Sequence, residues 1–96
     1  MSVPFDPQQG LIIVRAELWG PNGSGVLRLA LDTGATGTVV NVGMLVALGY
    51  DPALVPDRVQ VTTLPPSAGV DGLLGLDFLR GQNLTIDFRA GQVTVA

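Results

Sequence analysis

Leu29-Ala30-Leu31-Asp32-Thr33-Gly34-Ala35 carries an apolar run straight into an acid, a small hydroxyl residue and a glycine. An aspartate in that setting is held at the end of a strand, on the rim of a core. Gly34 lets the chain turn sharply and brings its own N–H toward the carboxylate, where a side chain would obstruct it. Thr33 can hydrogen-bond a neighbouring backbone group or a matching threonine. The same residues also suit a strand that simply closes in an Asx-type turn. Taken alone, the segment leaves both readings open.

Working outward, Ile12, Val14, Ala16 and Leu18 alternate with Arg15 and Glu17, and Leu27, Leu29 and Leu31 alternate with Arg28. That period of two predicts two strands with one apolar face each, joined through the turn Gly20-Pro21-Asn22-Gly23-Ser24-Gly25. After the Asp32 segment, Thr38-Val39-Val40 predicts a short strand. Asn41 caps a helix to about Leu48, with Gly49 in the left-handed position that ends it. Asp51 to Arg58 is a loop with two prolines, and Val59 to Thr63 alternates as a strand. Leu64 to Val70 is a connection.

Leu73-Leu74-Gly75 begins as a buried strand and leads into a short helix, for which Asp77 is the expected cap. Asp71, beside Gly72, is expected in a turn. Leu84–Phe88 and Gln92–Val95 form a closing hairpin across Arg89-Ala90-Gly91. Thirteen glycines and seven prolines punctuating short apolar runs favour an all-β chain with brief helices.

Composition narrows the chemistry. The chain has 96 residues, enough for one domain with a thin core, so that oligomerisation is useful. It has no cysteine and no histidine. Disulfides, thiolate or imidazole metal sites, and Ser-His-Asp or Cys-His nucleophiles therefore all fall away. Neither a metal nor a cofactor is expected. The net charge is −3, from seven Asp and one Glu against five scattered Arg and no Lys, so no basic stripe suggests nucleic acid. The apolar runs are too short to span a bilayer. The opening MSVPFDPQQG lacks the basic and apolar regions of a signal peptide, so the default expectation is a cytoplasmic address.

Together, LDTGATGTVV and the later VDGLLGLDFL resemble the retropepsin-like aspartic proteases, closer to the bacterial and cellular branch than to the retroviral one. The resemblance spans about Leu11 to Ala96, including the order hairpin, catalytic loop, short strand and helix. It implies an all-β, closed-barrel domain over residues 1–96 with one or two short helices. It makes Asp32 the catalytic aspartate, with Thr33 gripping its counterpart across a dimer and Gly34 and Ala35 shaping the loop. Leu73, Leu74 and Gly75 become the strand that supports it. One motif supplies one carboxylate, so the resemblance implies a homodimer acting on a peptide or an unfolded protein, with no nucleic-acid or membrane partner.

Two departures stand out. The family places a long flap hairpin before the supporting strand, whereas only Leu64 to Val70 separate Thr63 from Asp71. The flap is therefore expected to be shortened or deleted between 63 and 71. The alternative is a dimerisation or peptide-binding module of the same fold that no longer cuts. The retroviral acid–arginine pair is also replaced, by Thr36-Gly37 and Leu76-Asp77. A third reading takes Asp32-Thr33-Gly34-Ala35-Thr36 as the Asp-x-Gly-x-Thr phosphate loop of actin-like ATPases, a fold that needs far more chain.

Overall fold

A computed structural model describes residues 1–51, 60–62 and 69–96. Among these residues, eight strands and two short helices follow in order: β1 (Ser2–Pro4), β2 (Ile13–Gly20), β3 (Gly23–Leu31), β4 (Val39–Asn41), α1 (Val42–Ala47), β5 (Gln60–Thr62), β6 (Gly72–Leu74), α2 (Leu76–Leu79), β7 (Leu84–Asp87) and β8 (Gln92–Val95).

The alternation in β2 and β3 produces the expected antiparallel hairpin, with Val14 opposite Leu29 and Ala16 opposite Leu27. Its turn is tighter than the glycine-rich sequence suggests. Only Pro21 and Asn22 lie between the strands, and Gly23 takes a φ of +127° that a side chain would resist. Val14, Leu27 and Leu29 face inward and join Phe5, Val40, Leu45 and Val93 in one buried cluster. Trp19, Val26, Arg15 and Arg28 lie on the opposite, exposed face.

Two sheets share this core. One has the order β1-β8-β7 and the other β2-β3-β6-β4-β5. Among the described residues neither closes on itself, so the expected barrel is corrected to two open sheets. β2 and β5 remain as edges of the larger sheet, and three of its strands are only three residues long. Strands that short leave little ladder with which to curl a sheet until its edges meet.

α1 begins as expected. Asn41 Oδ1 accepts the Gly43 N–H at 3.1 Å, and Gly49 follows the helix at a φ of +90°. The closing hairpin also forms. Asp87 Oδ1 accepts the N–H groups of Arg89 and Ala90, both at 2.9 Å, and Gly91 turns the chain at a φ of +67°. β1 is an addition to the sequence reading. Three residues ending in Pro4 carry no periodicity, and the strand exists because Ser2–Pro4 pair with Gln92–Thr94. The loop expected over Asp51–Arg58 and the connection over Leu64–Val70 lie largely outside the described residues.

Candidate active site

β3 ends at Leu31, and β6 runs parallel beside it with Ala30 opposite Leu73 and Leu31 opposite Leu74. That ladder carries one bond further: the Asp32 N–H donates to the Leu74 carbonyl at 3.0 Å. The backbone of Asp32 is thus fixed by the sheet, while the chain beyond it turns away. Ala35 N–H donates to the Asp32 carbonyl at 3.2 Å, closing a turn over Asp32–Ala35. Gly34 N–H donates to Asp32 Oδ1 at 2.9 Å, which sets the rotamer of the carboxylate. A Cβ on Gly34 would sit 3.2 Å from the same oxygen, so glycine gives the amide room to approach. Asp32 is half-buried, and Thr33 and Gly34 are exposed at the tip of the turn.

The supporting strand does more than pair. Gly75 is buried, and a Cβ there would meet the Gly37 carbonyl carbon and oxygen at 2.7 Å and the Ala35 oxygen at 2.8 Å. The turn therefore lies directly on Gly75. Leu76 N–H donates to Ala35 O at 2.8 Å, and Asp77 N–H to Thr36 O at 3.1 Å. Residues 32–38 and 74–77 are stitched together along their length.

The structure corrects the expected role of Asp77. Gly75, not Asp77, occupies the N-cap position of α2, and Asp77 lies within the helix. Its carboxylate reaches across to Thr38, accepting the Thr38 N–H at 3.0 Å and the Thr38 hydroxyl at 2.7 Å. The hydroxyl in turn accepts Gly75 N–H at 3.1 Å. The Thr38 backbone and hydroxyl donors, with the Phe78 N–H, hold the Asp77 carboxyl below the usual carboxylate range, against a smaller opposing effect of burial. Thr38 is the residue that strand periodicity alone missed. Its signal was a hydroxyl at the end of a glycine-rich turn whose acidic partner sits 39 positions on. A carboxylate–threonine clamp thus joins the end of the Asp32 turn to α2.

Asp71 lies in a bend just before β6, as expected, and also reaches β3. Its backbone N–H donates to Arg28 O at 2.7 Å, and its Oδ2 accepts Arg28 N–H at 2.8 Å. It binds β6 to β3 and makes no hydrogen bond to the Asp32 turn. Clefts of about 460 and 310 Å³ open beside β2, and Asp32 lines neither. Leu31 and Leu74, the residues just before Asp32 and Gly75, do line the smaller, apolar one. Among the described residues no group of three His, Cys, Asp or Glu could hold a metal ion.

The overall fold has a counterpart among solved structures. The chain is similar to a retropepsin-like aspartic protease from Rickettsia conorii, at 15% identity and a TM-score of 0.59, over 99% of this chain and 87% of that one. The fold is retropepsin-like. No protein-family model and no curated protein matches the sequence. The retropepsin-like fold brings Asp32, Gly34, Ala35, Leu74 and Gly75 into one place, and Leu73 holds β6 between β3 and β4. Thr33 makes no hydrogen bond among the described residues. Nor is any helix among them long and apolar enough to cross a membrane.

Proposed function

We propose that this single-domain chain is half of an aspartic endopeptidase, whose site forms when two copies place their Asp32 carboxylates side by side about a two-fold axis. The supporting observation is the mounting of Asp32. Its backbone is tied to Leu74, one carboxylate oxygen is oriented by Gly34, and the exposed turn tip at Thr33 and Gly34 leaves room for a matching turn.

Two carboxylates about 3 Å apart cannot both ionise, so the pair holds one proton over a broad acidic range. The ionised member takes a proton from a bound water as its oxygen attacks the peptide carbonyl carbon. The protonated member hydrogen-bonds the carbonyl oxygen and gives it that proton, forming a tetrahedral diol. One hydroxyl proton then returns to a carboxylate and a proton passes to the peptide nitrogen. The C–N bond breaks to leave an acid and an amine. No histidine, thiol or metal enters, in keeping with the side chains this sequence offers. The apparent acidities belong to the pair, not to either residue.

The test is hydrolysis of an unstructured protein at mildly acid pH by wild type and by Asp32→Asn. Turnover that disappears in a variant with an unchanged circular dichroism spectrum supports the reading. Undiminished turnover in Asp32→Asn sinks it. A stable dimer with no turnover from about pH 3 to 7, a span that includes the upper part of the acidic range in which such dyads share a proton, would select the second reading. That reading is a module of this fold that pairs or binds peptides without cutting them. A shortened flap between 63 and 71 favours it, because closure over substrate is what excludes water.

A further inference from the structure

The outer edge of β2 is an open ladder with a self-complementary pattern. Arg28 sends both its N–H and its C=O to Asp71, away from β2. The opposed pair Arg15 and Arg28 is therefore not hydrogen-bonded, and the Arg15 backbone groups point out of the sheet. By the period of two, so do those of Ile13, Glu17 and Trp19. Among the described residues no strand pairs with this edge; β1 lies close to β2 without a ladder to it, and the Tyr50 hydroxyl donates to the Trp19 carbonyl. The two clefts already described lie alongside, and Arg15 lines both. Arg15 and Glu17 are exposed and make no ion pair among the described residues.

An open edge eight residues long invites a strand, and the side chains say which one. Along the outer face β2 reads Ile13, Arg15, Glu17, Trp19: apolar, positive, negative, apolar. That order is its own complement when reversed. We propose that β2 pairs antiparallel with β2 of a second copy, with Ala16 on the two-fold axis. In that register Arg15 faces Glu17 of the second copy twice over, and Ile13 faces its Trp19. Arg15 and Glu17 supply the hydrogen-bonded pairs, so the central ladder is complete. Shifting the axis to Arg15 or Glu17 sets like charges opposite each other, which destabilises a sheet. This contact is separate from any pairing at Asp32. A chain using both two-fold contacts assembles beyond a dimer, as a closed tetramer or a linear array.

The test uses the absence of native cysteine. Residues facing each other at a non-hydrogen-bonded antiparallel position lie about 4.5 Å apart at Cα, within disulfide range. Ala16→Cys should therefore form a covalent dimer on mild oxidation, and exposed Ser24→Cys should not. In sedimentation, Arg15→Glu should weaken this association about tenfold, since two attractive pairs become two repulsive ones. Arg15→Glu combined with Glu17→Arg should restore it. The cross-link should be unchanged by Asp32→Asn, which separates this interface from the proposed active site. A folded Ala16→Cys that remains monomeric on oxidation overturns the proposal. So does a charge-swapped double variant as weak as the single one, or an edge that pairs only with an added peptide.

Discussion

Gly75→Ala isolates the support beneath the Asp32 turn. Gly75 has a φ of −101° and a ψ of −173°, an extended conformation that alanine adopts freely, so any cost comes from contact and not from the backbone. The added methyl would meet three backbone atoms at 2.7–2.8 Å, two of Gly37 and one of Ala35. Backbone cannot swing aside as a side-chain tip does, so the turn must lift by more than half an ångström, judged against ordinary contact near 3.5 Å. Overpacking of that kind costs about 1–3 kcal/mol. Lifting the turn also stretches the bonds from Leu76 N–H to Ala35 O and from Gly75 N–H to the Thr38 hydroxyl. Each is worth about 1 kcal/mol, of which stretching forfeits about half. The total, about 2–4 kcal/mol, is a large share of the roughly 5–14 kcal/mol expected for a domain of this length. It corresponds to a fall in Tm on the order of 10–30 °C. Thermal and urea unfolding followed by circular dichroism would measure it. Gly10→Ala, which meets nothing within 4 Å, serves as the control and should shift stability by less than about 0.5 kcal/mol. A Gly75→Ala protein as stable as that control would refute the claim that the turn rests on this glycine.

Other consequences can be checked in the same way. Thr38→Val keeps the shape but removes the hydroxyl that links Gly75 N–H to Asp77, and should cost about 1–2 kcal/mol in urea unfolding. The Asp77 carboxyl is held low in the folded chain, so its contribution is complete above the unfolded value and is lost as pH falls through the folded one. Asp77→Asn should therefore flatten the stability profile below about pH 4 and leave its shape near neutrality unchanged; identical acid limbs in the two proteins would refute this. Asn41→Ala removes the side-chain cap of a six-residue helix and should cost about 1 kcal/mol, read as a lower urea midpoint at constant slope. If the site is shared between two copies as proposed, specific activity should fall on dilution below the dimer dissociation constant; constant activity in protein that sediments as a monomer would exclude a shared site.

Much of this arrangement was legible in the sequence where one residue type serves one local need. Alternation at Ile12–Leu18 and Leu27–Leu31 gave the hairpin and its inward face, and Asn41 and Gly49 gave the ends of α1. The expectation that Leu73-Leu74-Gly75 supports the Asp32-Thr33-Gly34 turn came from the family resemblance, since those residues alone also suit a plain core strand and helix start. What stayed hidden depends on contacts between distant residues. Asp77 looked like a helix cap because a cap is the commonest local use of an aspartate there, and only the fold brings Thr38 within its reach. Asp71 sits in a bend as the sequence suggests, but its tie to Arg28 was not legible. β1 has no pattern of its own and takes its form from β8. The barrel expectation failed because closure depends on where sheet edges end, which strand periodicity does not encode.

The most direct measurement is the separation of the two Asp32 carboxylates in a crystal structure of the dimer. A shared site requires them across a two-fold axis at about 3 Å, close enough to hold one proton between them. Paired subunits that keep those acids more than about 10 Å apart, beyond the reach of a common water and about a Debye length at 0.1 M salt, would contradict hydrolysis by an aspartate pair.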